Sequence, residues 1–130
     1  MPNILFIMTD QHRWDYINND TVDTPNLQKL ANRGTTFTHC TVNSPICAPS
    51  RIGLATGLLP ERLGALDNHA YVPNSHQTYY QRLRDYNYQV GAVGKLDIAK
   101  PDGFIGVEGA RPHTFALGFT HPHETEGKMN

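Results

Sequence analysis

The sequence predicts an α/β fold, with a mainly parallel sheet flanked by helices. Three observations carry that expectation: a continuous apolar run at Asn3–Met8 (NILFIM), a second short apolar run at Gln89–Gly94 (QVGAVG), and helical periodicities in the chain between them. An unbroken apolar run marks a strand buried on both faces, as in a parallel sheet, whereas a half-exposed strand alternates. Strands separated by helical segments favour parallel order, because a parallel pair needs a crossover connection.

The elements follow in order. Asn3–Met8 predicts the first strand, which ends at polar Thr9 and Asp10. Thr24-Pro25 predicts a helix start, with Thr as N-cap and Pro at the first helical position, and Gly34 predicts its stop. Leu27, Leu30 and Ala31 fall on one face of that helix. Thr35–Val42 (TTFTHCTV) is β-branched and partly alternating, the pattern of a short strand. Pro49–Gly57 predicts a short helix beginning just after Cys47, and Thr78–Tyr88 an aromatic-rich amphipathic helix. Gln89–Gly94 predicts the last strand, followed directly by Lys95. From Pro101 onward Gly, Pro and His become frequent and no periodicity survives, so that stretch is expected to be loop.

Composition bounds the function. A chain of 130 residues predicts one domain. Lys and Arg number 11 against 12 Asp and Glu, a net charge of −1, so no basic field favours a nucleic acid partner. The longest continuous apolar run, Ile4–Met8, falls far short of the ~20 residues of a membrane helix, so no membrane partner is expected. Met1 leads directly into the apolar run without a basic region or cleavage site. A cytoplasmic location is therefore expected for the sequence as written, and a periplasmic or secreted one if a leader has been removed. Two cysteines, Cys40 and Cys47, do not make a disulfide framework.

The polar residues then fall into place. Asp10 follows the first predicted strand and Lys95 the last. Ligands of open parallel sheets bind outside the carboxyl ends of the strands. Cys47 stands at a helix start, where unpaired N–H groups and the dipole favour an anion, and Arg51 adds positive charge. The commoner fate of a free cysteine is that of a small buried residue.

The segment Cys47-Ala48-Pro49-Ser50-Arg51, followed after two residues by Leu54-Ala55-Thr56-Gly57, closely resembles the signature of type I sulfatases, members of the alkaline phosphatase superfamily. Pro2–Asp10 resembles that family's opening strand, and Thr24–Phe37 its first helix and return strand. Gly57–Gly64 with Asp67-Asn68 resembles its post-motif loop, and Gly91…Gly94-Lys95 its Gly-Lys motif. The resemblance covers about residues 2–97 and identifies residues 1–130 as the N-terminal portion of a catalytic domain, with a loop-rich segment over about 98–130.

This resemblance implies a mechanism. Cys47 would be oxidised to formylglycine by a formylglycine-generating or sulfatase-maturating enzyme. The hydrated aldehyde carries two hydroxyls: one attacks the sulfur, and deprotonation of the other expels sulfate. Arg51 would hold the diol and the sulfate. Lys95 would neutralise developing charge. Asp10, Gln11 and the modified Cys47 would ligate a divalent metal, with Ca²⁺ expected first and Mg²⁺ or Mn²⁺ as alternatives. Asn68, Asp97 and His12 would contact substrate, a sulfate-ester small molecule or a sulfated glycan.

Two positions depart from the family pattern. Gln11 stands where many sulfatases have a second aspartate, lowering the charge of the metal site by one unit. Asp97 stands where the family often has histidine, and is either a weak base or an ion-pair partner for Lys95. No Asp follows Asp102, so the family's further ligand motifs are not found, and the isolated chain is expected to be inactive. The alternatives are a phosphonate monoester or phosphodiester hydrolase using the same modified cysteine, and a non-catalytic truncated module. A sheet lacking further strands is expected to expose an edge, through which copies would self-associate.

Overall fold

The computed structural model describes residues 1–17, 20–99 and 114–124. The chain divides into two compact units, Met1–Thr41 and Val42–Asn130.

In the first unit, helix α1 spans Pro25–Ala31 with Pro25 in its first turn, as predicted, although the Thr24 side chain makes no capping hydrogen bond. The Gln28 side chain donates to Asn32 Oδ1 at 2.8 Å, and the Gly34 N–H donates to the Ala31 carbonyl at 3.2 Å where the helix stops. A short 3₁₀ turn covers Trp14–Tyr16, with Arg13 paired to Asp15. The two predicted strands of this unit are corrections: neither Asn3–Met8 nor Thr35–Val42 forms a strand. The side chains of Ile4, Leu5, Phe6, Ile7 and Met8 are all exposed. A strand exists only through a ladder with a neighbour, and the sheet among the described residues has two members, neither of them here.

The second unit holds the core. Helix α2 runs Cys47–Thr56, two residues earlier than predicted, and ends at Gly57, whose φ of 71° is the left-handed conformation that closes a helix. Its buried face presents Ala48, Ile52 and Ala55 to Ala65, Val72, Val90, Ile98, Leu117 and Phe119. Helix α3, Tyr79–Asp85, opens with a capping box in which Thr78 Oγ1 accepts from the Gln81 N–H and the Gln81 side chain accepts from the Thr78 N–H. Tyr80 packs on Phe119 with ring centroids 4.3 Å apart.

Strand β1, Gly91–Gly94, pairs in parallel with β2, His121–Glu124, with Gly91 opposite His121 and Gly94 opposite Glu124. This parallel pair meets the fold expectation, but β2 corrects the loop expected there. The His-Pro-His-Glu sequence carries no strand pattern, and pairing with the β1 main chain is what extends it. Pro122 donates nothing to a ladder, which is tolerated where a strand has one neighbour. Ahead of β2, residues 114–118 form a turn docked on α3: Thr78 Oγ1 donates to the Leu117 carbonyl and Gln81 Nε2 to the Ala116 carbonyl, at 2.6 and 2.7 Å. Gly118 has φ 112° and sits so close that a Cβ there would meet the Gln81 N–H nitrogen at 2.3 Å. The rest of the predicted loop, residues 100–113 and 125–130, lies outside the described residues. No helix among the described residues is long and apolar enough to cross a membrane.

Candidate active site

Cys47 is the first residue of α2 and is half-buried. The approach to it is shaped by Asn43, whose side chain lies against Gly53: a Cβ at Gly53 would come within 2.1 Å of Asn43 Nδ2. Glycine at this point of α2 therefore admits the segment that leads into the cysteine. One turn after Cys47, Arg51 is buried, and its guanidinium donates to the backbone carbonyl of Lys95. That bond ties α2 to the chain leaving β1, and it accounts for how a charged side chain is tolerated in the core.

Lys95 directly follows β1. Its Nζ lies 3.9 Å from Asp97 Oδ2, and both side chains are mostly buried, at 23% and 16% exposed. Asp97 has φ 56°, in the left-handed region that aspartate tolerates better than most residues. The geometry thus pairs Asp97 with Lys95. Asn68 Oδ1 accepts the backbone N–H of Ala48 at 3.1 Å, which places its amide at the first turn of α2. Cys47, Arg51, Asn68, Lys95 and Asp97 are thus linked within the second unit.

Asp10, Gln11 and His12 belong to the first unit and are exposed there. Gln11 has φ 56°, a left-handed residue at the turn after the apolar run. Among the described residues no group of three or more His, Cys, Asp or Glu side chains is arranged to hold a metal ion.

Two neighbours of the site were not singled out from the sequence. Asn43 is one; its signal was the polar Asn43-Ser44-Pro45 turn just ahead of the motif. Tyr80 is the other. Burial pushes its phenol well above the ordinary tyrosine range, the hydrogen bond with Tyr79 adds to this, and the charge of Arg51 opposes it. Only its place in an aromatic-rich helix hinted at a buried role.

Comparison with known proteins adds the family. Residues 2–124 match the sulfatase family model. N-acetylglucosamine-6-O-sulfatase of Bacteroides thetaiotaomicron is 33% identical over 107 residues, covering 79% of this chain and 19% of that protein. N-acetylgalactosamine-6-sulfatase of Homo sapiens is 31% identical over 147 residues, covering 99% of this chain and 28% of the relative. The chain thus spans between 19% and 28% of the length of these relatives. A solved structure from Bacteroides thetaiotaomicron, reported for the metabolism of multiple glycosaminoglycans, superposes with a TM-score of 0.68 at 28% identity over 82% of this chain and 24% of that one. The crystal structure of Ps i-CgsB gives 0.64 at 31% identity, over 78% and 22%. With an alkaline-phosphatase-like arrangement of parallel strands and helices, and a family match along nearly its whole length, this chain belongs to the sulfatase family.

Proposed function

We propose that the protein to which this chain belongs hydrolyses sulfate esters of sugars, with Cys47 as the precursor of a formylglycine nucleophile. One observation carries the reading: Cys47 opens α2 while Arg51, one turn on, is bound to the backbone of Lys95, so that nucleophile and cations are tied together. The sugar specificity follows the relatives, whose names specify sulfated N-acetylhexosamines.

The chain's residues divide the work. Cys47, once oxidised to the aldehyde and hydrated by water, would present two hydroxyls, and the positive helix end favours the anion that forms on attack. Arg51 brings a planar guanidinium of the kind that suits a sulfate oxygen, held in place by its bond to the Lys95 carbonyl. Lys95 brings a charge whose direction is set by Asp97. Asp10 and Gln11 are adjacent hard-oxygen donors, which suits Ca²⁺ in kind; two donors are fewer than the 6–8 oxygens it takes. A bound cation would polarise the sulfate and favour ionisation of the attacking hydroxyl.

The decisive experiment is peptide mass analysis of the protein made in a host that carries a formylglycine-generating enzyme. Conversion of Cys47 to the aldehyde is expected, and a thiol that stays intact under those conditions sinks the reading. A substrate panel on the whole protein separates the neighbouring chemistry: turnover of a 6-sulfated N-acetylhexosamine above a phosphodiester or phosphonate is expected, and the reverse order makes it a phosphoryl-transfer relative. For the 130-residue chain alone we expect no turnover and weak Ca²⁺ binding. Calorimetric titration showing tight stoichiometric uptake would contradict that.

A further inference from the structure

We infer that Asn68 is a positioning residue: its side-chain amide is the N-terminal cap of α2 supplied from outside the helix, and it fixes the first turn on which Cys47 sits. Four backbone N–H groups at a helix start have no partner inside the helix. In α2 these positions are Ile46, Cys47, Ala48 and Pro49, and only the first three carry an N–H. The residue at the N-cap position is Ile46, which has no side-chain acceptor, and no capping hydrogen bond is made there. Pro49 has no N–H at all. The Ile46 N–H donates to Ser44 Oγ at 3.3 Å. The Ala48 N–H is the buried one, on a residue with 0% exposure, and it finds its acceptor in Asn68 Oδ1 at 3.1 Å, twenty positions along the chain. Cys47 keeps the remaining N–H, at the residue that reacts.

The turn that presents Asn68 is itself braced. Asp67 Oδ1 accepts the His69 N–H at 2.8 Å, and Ala65 just before it is buried in the core beside Ala48. Asn68 is otherwise exposed, so no packing dictates its orientation, and the bond to Ala48 does. A buried N–H left without an acceptor is costly, and reaching water in its place would require the first turn to tilt or loosen. Such a change moves Cys47, so the contact governs where the nucleophile points. This assigns Asn68 to holding the helix rather than to touching the sugar.

The test uses amide hydrogen exchange by NMR on the 130-residue chain, comparing wild type with Asn68→Leu, which removes the acceptor at similar size, and Asn68→Asp, which keeps it. Exchange at Ala48 is expected to rise about fivefold in Asn68→Leu. The Val72 and Val90 amides, bonded to the Ile98 carbonyl and to Thr120 Oγ1, should hold their wild-type rates. Asn68→Asp is expected to restore the Ala48 rate. Ala48 exchange that does not change, that rises only in parallel with Val72 and Val90, or that Asn68→Asp fails to restore, overturns the inference. Its functional meaning rests on reading Cys47 as the nucleophile precursor. The exchange is measured on the unconverted thiol, so a Cys47 that never becomes an aldehyde defeats that reading and leaves this one standing.

Discussion

The two units of this chain use apolar residues in opposite ways. In Val42–Asn130, side chains from α2, the β1 segment and the turn before β2, from Ala48 up to Phe119 in size, close into a core whose members are nearly all inaccessible. In Met1–Thr41, the longest apolar run of the sequence stands exposed from Ile4 to Met8, and α1 exposes Leu27 and Leu30. Apolarity is therefore not what separates a core from a surface here. What separates them is closure: the second unit supplies a strand partner, a helix cap and a docked turn, and so completes its own contacts.

That contrast can be broken experimentally. The largest effect is expected from Phe119→Ala, which empties a ring that is 2% exposed and packed on Tyr80. A loss of about 3–5 kcal/mol is expected in urea unfolding of the second unit, and a loss below about 1 kcal/mol would mean the core does not close as described. A smaller effect should come from pH. Because the folded state holds the Tyr80 phenol above its ordinary range, the stability this represents is present below about pH 10 and is lost as the pH rises beyond it. The melting temperature should fall on the alkaline side, and Tyr80→Phe should flatten that fall; an unchanged alkaline slope in the variant would remove Tyr80 from the core. The smallest effect is expected for Ile7→Ser, on a side chain 76% exposed, which should shift stability by less than about 0.5 kcal/mol. A cost of several kcal/mol there would show that the run is closed over in solution and would end the contrast.

Much of the helical structure was legible because its signals are local. Thr24-Pro25 and Gly34 bracket α1, the Thr78/Gln81 pair starts α3, and Gly57 stops α2. The sequence places the start of α2 two residues late, at Pro49, which in the structure occupies the third helical position, where its missing N–H is still harmless. Strands were less legible because their stability lies in a partner. The Asn3–Met8 pattern is that of a buried strand, yet a pattern cannot supply a ladder. Conversely, His121–Glu124 has no strand pattern and becomes one through the β1 main chain. At the site, residue identities came from the motif, and the Lys95–Asp97 pairing was one of two readings left open. The bonds from Arg51 to the Lys95 carbonyl and from Ala48 to Asn68 join positions 44 and 20 residues apart, and no local pattern announces them.

The cap on α2 also has a consequence in time. The acceptor for Ala48 is encoded twenty residues after it, so during synthesis the Cys47 segment exists before the group that completes its helix. At about 5–20 residues per second, that interval lasts about 1–4 s. For those seconds the first helical turn has a donor whose acceptor has not yet been made, and on the proposal that Cys47 is converted to an aldehyde, a modifying enzyme would meet the segment in that open form. Once Asn68 arrives, the Ala48 N–H has its acceptor, while the rest of the packing around α2 waits for residues up to Phe119. The distance along the chain between a residue and its cap thus sets how long the first turn waits for its acceptor during synthesis.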